Sequence, residues 1–194
     1  MRTANLSRAA TKACRALLAR RVDSLPVDPL SLLRSCRNTA VYTLDALMEA
    51  ADAHLQDRVS SAFRDADAIS CTHEYEGETR YVTVYRADGN PARLRFTLAH
   101  ELGHRVLRHT GKDPAEEREA DCFASYLLCP EPVLQLLASV PDGAVERIAT
   151  ACYVSRSCAK AALRRPQSLV QPSELAQLEN LLMPVLENLK TTLL

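Results

Sequence analysis

Arg95-Phe96-Thr97-Leu98-Ala99-His100-Glu101-Leu102-Gly103-His104-Arg105-Val106-Leu107-Arg108-His109-Thr110 holds three of the chain's five histidines. His100 and His104 stand four residues apart, so on a helix they share one side at a separation of about 6 Å. Two imidazoles so placed can reach one zinc ion. Glu101 lies near enough to a water on that ion to take its proton without occupying a metal position. Such a site needs a third protein ligand and an open fourth position. A bare H-E-x-x-H occurs by chance in unrelated proteins; the rival reading is a packed helix with satisfied core histidines and Glu101 at the surface. Context favours the metal. Asn90 is a good N-cap and Pro91 fits the first helical position. Leu94 and Leu98 give the first turns an apolar side, and Gly103 permits close approach of another backbone. Gly111 is expected to stop the helix.

His109 falls one residue short of the H-x-x-G-x-x-H extension, and Leu107 stands where that pattern needs glycine, so the metzincin pattern fails and His109 drops out of the site. The third ligand is sought in the next helix, "DPAEEREADCFASYLLCP" (residues 113–130), with Asp113 as N-cap and Pro114 in the first turn. It offers Glu116, Glu117, Glu119 and Asp121. At 100° per residue Glu116 and Glu117 lie nearest the middle of the apolar face, while Glu119 and Asp121 flank it. Glu116 is placed to complete a capping box. Glu117 is therefore favoured as ligand, with Asp121, four residues on, holding a ligand histidine by its other ring nitrogen. Glu119 is the alternative ligand. A solvated, dipole-favoured helix start accounts for some of these acids.

The rest of the chain sets the frame. Its 194 residues suit one compact domain with a tail. Lysine plus arginine and aspartate plus glutamate both number 24, so no global charge draws the chain to nucleic acid or membrane. No run of about eighteen apolar residues is present to span a bilayer. The seven cysteines form no C-x-x-C pair and read as reduced side chains of a cytoplasmic protein. The basic start lacks the apolar stretch of a secretory signal and reads as a first helix.

Alanines and a leucine at helical spacing predict a helix over 7–21, and Pro26 and Pro29 lead into a short second one. "TAVYTL" predicts a strand and residues 45–57 a helix. "AISCTH" and "RYVTVYR" predict a hairpin turning at Gly77. The fold class is α+β: mostly helical, with a small, largely antiparallel β-sheet. Residues 143–165 are helical, and "ERIATACYVSRSCAKAALRR" resembles the second half of a helix-turn-helix. Contact with DNA is one reading. A helix pair closing residues 1–165, with a basic solvated face, is favoured, because the chain is neutral and a helix-turn-helix needs its own three-helix core. Residues 166–194 form a helical tail, interrupted at Pro184, that packs on the body or on another copy.

"RFTLAHELGHRVLRH" (95–109) and "EREADCFASYLLCP" (117–130) resemble the ImmA/IrrE family of metallopeptidases. That family carries R-F-T-x-A-H-E-x-G-H and then E-x-E-A-N/D-x-F-A-x-x-L-L-x-P. The match is dense over residues 90–132, and Cys129 stands where the family usually has methionine. The resemblance implies a zincin-like fold with a gluzincin-type site: Zn2+ on His100, His104 and Glu117, with Glu101 as general base. It also implies a protein partner, since family members cleave or inactivate repressors, often a neighbouring helix-turn-helix protein. The expectation is a cytoplasmic zinc endopeptidase acting in transcription regulation. The alternatives are a metal-binding regulator that grips a repressor without hydrolysing it, and a DNA-binding protein working through residues 143–165. Tyr126 is a weak candidate for oxyanion stabilisation and stands outside the proposed site.

Overall fold

The chain begins with α1 (Leu6–Ala19), capped by Asn5, whose side chain accepts from the Arg8 amide. A computed structural model describes residues 2–64, 66–111, 113–140, 142–166 and 169–193, except the side chain of Tyr75. The buried face of α1 is Ala9, Ala10, Ala13, Cys14 and Leu17. Small side chains there let neighbouring helices lie close. α2 (Pro29–Arg34) starts on Asp28, with Pro29 in its first turn. β1 (Thr39–Thr43) follows. The single helix expected over 45–57 is two: α3 (Leu44–Ala50) and α4 (Ala53–Ala62). Ala51 is extended, and Asp52 accepts from the Leu55 amide, so a new N-cap interrupts the run.

β2 (Ala68–Tyr75) and β3 (Glu78–Tyr85) form the expected hairpin. Both turn residues, Glu76 (φ 51°) and Gly77 (φ 76°), lie in the left-handed region, as a two-residue turn between twisted strands requires. Strand order is β1-β3-β2. The longer ladder, β2 with β3, is antiparallel, while β1 joins β3 in parallel from Thr39↔Tyr81 to Thr43↔Tyr85. The parallel pairing follows from the long connection through α3, α4 and β2.

α5 (Pro91–Leu107) carries the histidines and α6 (Pro114–Leu128) the acids. Both start as the sequence predicts, Asn90 accepting from Arg93 and Asp113 from Ala115. α5 ends earlier than Gly111: Arg108 takes the left-handed conformation (φ 57°, ψ 46°) and turns the chain. The two helices pack closely at Gly103, where an added Cβ would lie 3.2 Å from the Ala120 Cα and the Phe123 Cβ. Phe123, Leu127 and Leu128 are fully buried behind this seam, each worth about 1.5–3 kcal/mol of transfer free energy. Two arginines tie helix ends together. Arg95 donates to the carbonyls of Val27 and Tyr153, the second at the end of α8 (Ala144–Cys152). Arg165 donates to Ser125 and Cys129 at the end of α6, both at 2.7 Å. Each places a cation on the negative end of a helix.

α9 (Arg156–Arg164) packs on α6, and α7 (Glu131–Ser139) and α8 pack on each other and on α9. Ile148, Cys152, Ala159 and Ala162 of the α8–α9 pair point inward. The tail forms α10 (Pro172–Leu181) and α11 (Met183–Leu193). α10 lies on α1 and α7, and α11 on α7, so Leu178, Leu182 and Leu186 belong to the main core. Pro184 falls in the first turn of α11, where its missing N–H costs nothing, so it begins a helix instead of interrupting one. The seven cysteines are all free. Among the described residues no helix is long and apolar enough to cross a membrane.

Candidate metal centre

α5 presents His100 and His104 toward the first turn of α6, with their Nε2 atoms 2.9 Å apart. Glu117 closes the triangle: its Oε2 lies 3.3 Å from His100 Nε2 and its Oε1 3.6 Å from His104 Nε2. Ligands held at about 2.1 Å around one tetrahedral ion sit about 3.4 Å apart, a spacing these three pairs bracket. One ligand atom from each residue lies within 4.8 Å of the others. Two neutral imidazoles and a carboxylate are a donor set that suits a divalent metal. The imidazoles are mostly buried, while the Glu117 side chain is 47% exposed, so the triangle opens on one side to solvent.

Asp121 stands one turn beyond Glu117, with Oδ1 2.8 Å from His100 Nδ1. Asp121 is placed to accept the Nδ1 proton of His100, which leaves Nε2 as the nitrogen that can serve a metal in the triangle. Burial works against the charged form of His100. The hydrogen bond and charge of Asp121, with Glu101 and Glu117 behind them, outweigh it, and the net pKa is raised. His104 moves the other way: burial first, then the His100 charge, lowers it against the pull of Glu117. A lowered pKa keeps an imidazole free for a metal.

Glu101 lies on the sheet side of His100. Burial raises its carboxyl pKa, and the neighbouring Glu117 adds to this. A hydrogen bond with Ser70 and the charge on His100 offset part of the rise. Ser70 belongs to β2 and shares a further hydrogen bond, 2.8 Å, with the buried Thr83 of β3. The hairpin therefore fixes the partner of this carboxyl. A carboxylate of raised basicity beside a metal position is suited to proton transfer near neutral pH.

The other acids of α6 go elsewhere. Glu116 accepts from the Gly111 amide at 3.1 Å and from Arg2, holding the α5–α6 loop in place of the capping box expected for it. Glu119, the alternative ligand, is fully buried on the far side of the helix. It accepts from the Asn5 amide at 2.8 Å, from Arg2 and Arg8, and pairs with His109. Burial pushes its pKa up, but the Asn5 amide, His109 and Arg2 pull it below the usual carboxylate range. His109, set aside on spacing, lies against the centre: its Nδ1 is 3.0 Å from His104 Nδ1. Tyr126 is remote in role. Its hydroxyl donates to the Pro166 carbonyl, and its ring lies 3.8 Å below the Arg165 guanidinium. Burial raises its pKa to about 12.

Among the curated proteins no relative matches the chain. A family model does: the IrrE N-terminal-like domain of the peptidase M78 family matches residues 58–164, from within α4 to the end of α9. That span is more than half of the chain, and it holds all of α5 and α6 with the histidine–glutamate triangle between them. The chain belongs to the ImmA/IrrE family of metallopeptidases.

Proposed function

We propose that the protein is a zinc-dependent endopeptidase that hydrolyses a peptide bond in a regulatory protein, a helix-turn-helix repressor being the substrate class in line with the family. The observation that carries the reading is the convergence of His100 Nε2, His104 Nε2 and a Glu117 carboxylate oxygen, with the half-buried Glu101 carboxyl beside them. His100, His104 and Glu117 hold the metal, and Asp121 orients His100. Bound zinc supplies Lewis acidity, which brings the pKa of a water to about 7 and polarises a carbonyl. Glu101 accepts the proton that water releases as its oxygen bonds to the carbonyl carbon. When the C–N bond breaks, the same carboxyl returns that proton to the departing amine. Ser70 keeps the carboxyl aimed through this exchange. β2 is an outer strand of the sheet, and an unpaired strand edge is a template on which an extended peptide can lie.

The test compares wild type with Glu101→Gln for bound zinc and for cleavage of helix-turn-helix repressors from the same genome. The amide keeps the size of the side chain but cannot take a proton, so zinc content is expected to stay while cleavage falls by about 10²–10⁴-fold. Equal cleavage by both would sink the mechanism. Repressor inactivation that survives Glu101→Gln and is lost in His100→Ala would show a metal-dependent binder in place of a hydrolase.

A further inference from the structure

We propose that His109 and Glu119 form a relay that fixes the proton of His104 on Nδ1 and so aims its Nε2 lone pair at the metal; this rests on the metal-site reading above. Glu119 is completely buried. The Asn5 amide at 2.8 Å and the guanidiniums of Arg2 and Arg8 at 3.2 and 3.4 Å surround it with donors. It is an acceptor on every side. His109 Nε2 lies 3.0 Å from Glu119 Oε2, and its side chain is 2% exposed. Two lone pairs at that distance would repel, so His109 Nε2 carries the proton.

The remaining assignments follow in sequence. In the neutral ring, which has one N–H, this leaves His109 Nδ1 bare. It faces His104 Nδ1 at 3.0 Å. A hydrogen bond there needs one proton, and His104 must provide it. His104 Nε2 is then bare as well. Asp121 imposes the same state on His100 in a single step. Two bare nitrogens therefore face each other at 2.9 Å, with Glu117 oxygens 3.3 and 3.6 Å away. Such a cluster of acceptors suits a bound cation; without one, a proton shared by the two Nε2 atoms closes the contact. The relay needs two links because Asp121 is spent on His100, and the next inward carboxylate, Glu119, lies behind His109. It also couples the N-terminal segment to the centre, since Arg2, Asn5 and Arg8 all hold Glu119.

His109 and Glu119 are thus positioning residues. Losing the partner of a metal-ligating histidine weakens metal binding by about 10–100-fold. The test measures zinc affinity by chelator competition, and the absorption spectrum of the cobalt-substituted protein, for wild type, His100→Ala, His109→Phe and His109→Gln. Phenylalanine fills the volume without either nitrogen and is expected to weaken zinc binding by about 10–100-fold and alter the cobalt bands. Glutamine offers an oxygen to His104 and an N–H to Glu119, and is expected to restore affinity to within about threefold of wild type. Wild-type affinity in a folded His109→Phe would overturn the relay alone. Wild type binding zinc no better than His100→Ala would overturn the metal site and the relay with it. Nitrogen-15 correlation spectra of the zinc-loaded wild type decide the matter should the phenylalanine variant fail to fold. They are expected to show His109 protonated on Nε2 only; a proton on His109 Nδ1 would refute the relay.

Discussion

Gly103→Ala tests how the two site helices are spaced. Gly103 lies between His100 and His104 on α5, and a Cβ there would meet the Ala120 Cα, the Phe123 Cβ and the Phe123 Cδ1, all at 3.2 Å. Carbon atoms in good contact are about 3.5–4.0 Å apart, so the shortfall is a few tenths of an ångström. Nothing flexible can absorb it, since one contact is backbone, another is bonded to backbone, and Ala120 and Phe123 are both fully buried. α5 and α6 must move apart. Overpacking of this kind costs about 1–3 kcal/mol. Alanine recovers about 1 kcal/mol over glycine in a helix interior. The net expectation is a loss of about 1 kcal/mol, or about 2–4 °C in Tm for a chain of this size. Calorimetry of zinc-free protein measures it, and Gly103→Val should fall further. The same separation draws Glu117 away from the imidazoles, so zinc affinity should drop in the same order. An alanine variant that melts above wild type would refute the close approach, because helix propensity would then act unopposed.

Zinc at a hundred times its Kd should stabilise the folded chain by about 2.7 kcal/mol, raising Tm by about 5–10 °C. An equal Tm with and without a chelator would count against the site. Arg165→Met removes the donor shared by the Ser125 and Cys129 carbonyls; denaturant unfolding should show a loss of about 1.5–3 kcal/mol, and a neutral result would mean those carbonyls find other donors. Tyr126→Phe removes the hydrogen bond to Pro166 and should cost about 1 kcal/mol with cleavage unchanged. A fall in kcat at constant stability would bring Tyr126 into the catalytic site.

What was legible in the sequence is what local chemistry decides. Asn90-Pro91 and Asp113-Pro114 mark the starts of α5 and α6 because a capping side chain and a proline act within one turn. Glu76-Gly77 marks the hairpin because one of its two left-handed positions is glycine. The four-residue spacing of His100 and His104, and the register of Glu117 and Asp121, follow from helix geometry alone. What could not be read depends on distant backbone. Arg95 opens the quoted stretch, yet its partners are carbonyls of Val27 and Tyr153, far away in the chain, and carbonyls have no residue type to betray them. The break between α3 and α4 was missed because Asp52 sits in a run whose apolar spacing continues past it. The parallel pairing of β1 depends on where the hairpin docks, which strand composition does not encode.

His109 shows how a local conformational detail changes a functional reading. A helix running on to Gly111 would carry His109 around the cylinder, away from the face shared by His100 and His104, and spacing alone then excludes it. The chain instead leaves the helix at Arg108, a non-glycine residue at φ 57°. That single left-handed residue lets the His109 amide donate back to the His104 carbonyl at 3.0 Å, a helix-ending bond of the Schellman type. The His109 side chain is thereby folded back against His104, between the ligand and the buried Glu119. Non-glycine residues adopt this conformation at a cost of about 1–2 kcal/mol, and the surrounding structure must supply it. Arg8 Nη2 supplies part, donating to the Leu107 carbonyl at 2.7 Å, one residue before the turn. The helix stop, the N-terminal anchor and the His104 relay are therefore one construction. Substituting Arg108 with glycine should relieve the strain and leave the relay intact, whereas Arg8→Ala should loosen turn and relay together. Chelator competition separates the two: zinc affinity kept in Arg108→Gly and lowered in Arg8→Ala is the expected pair, and equal affinities in both would dissolve the connection.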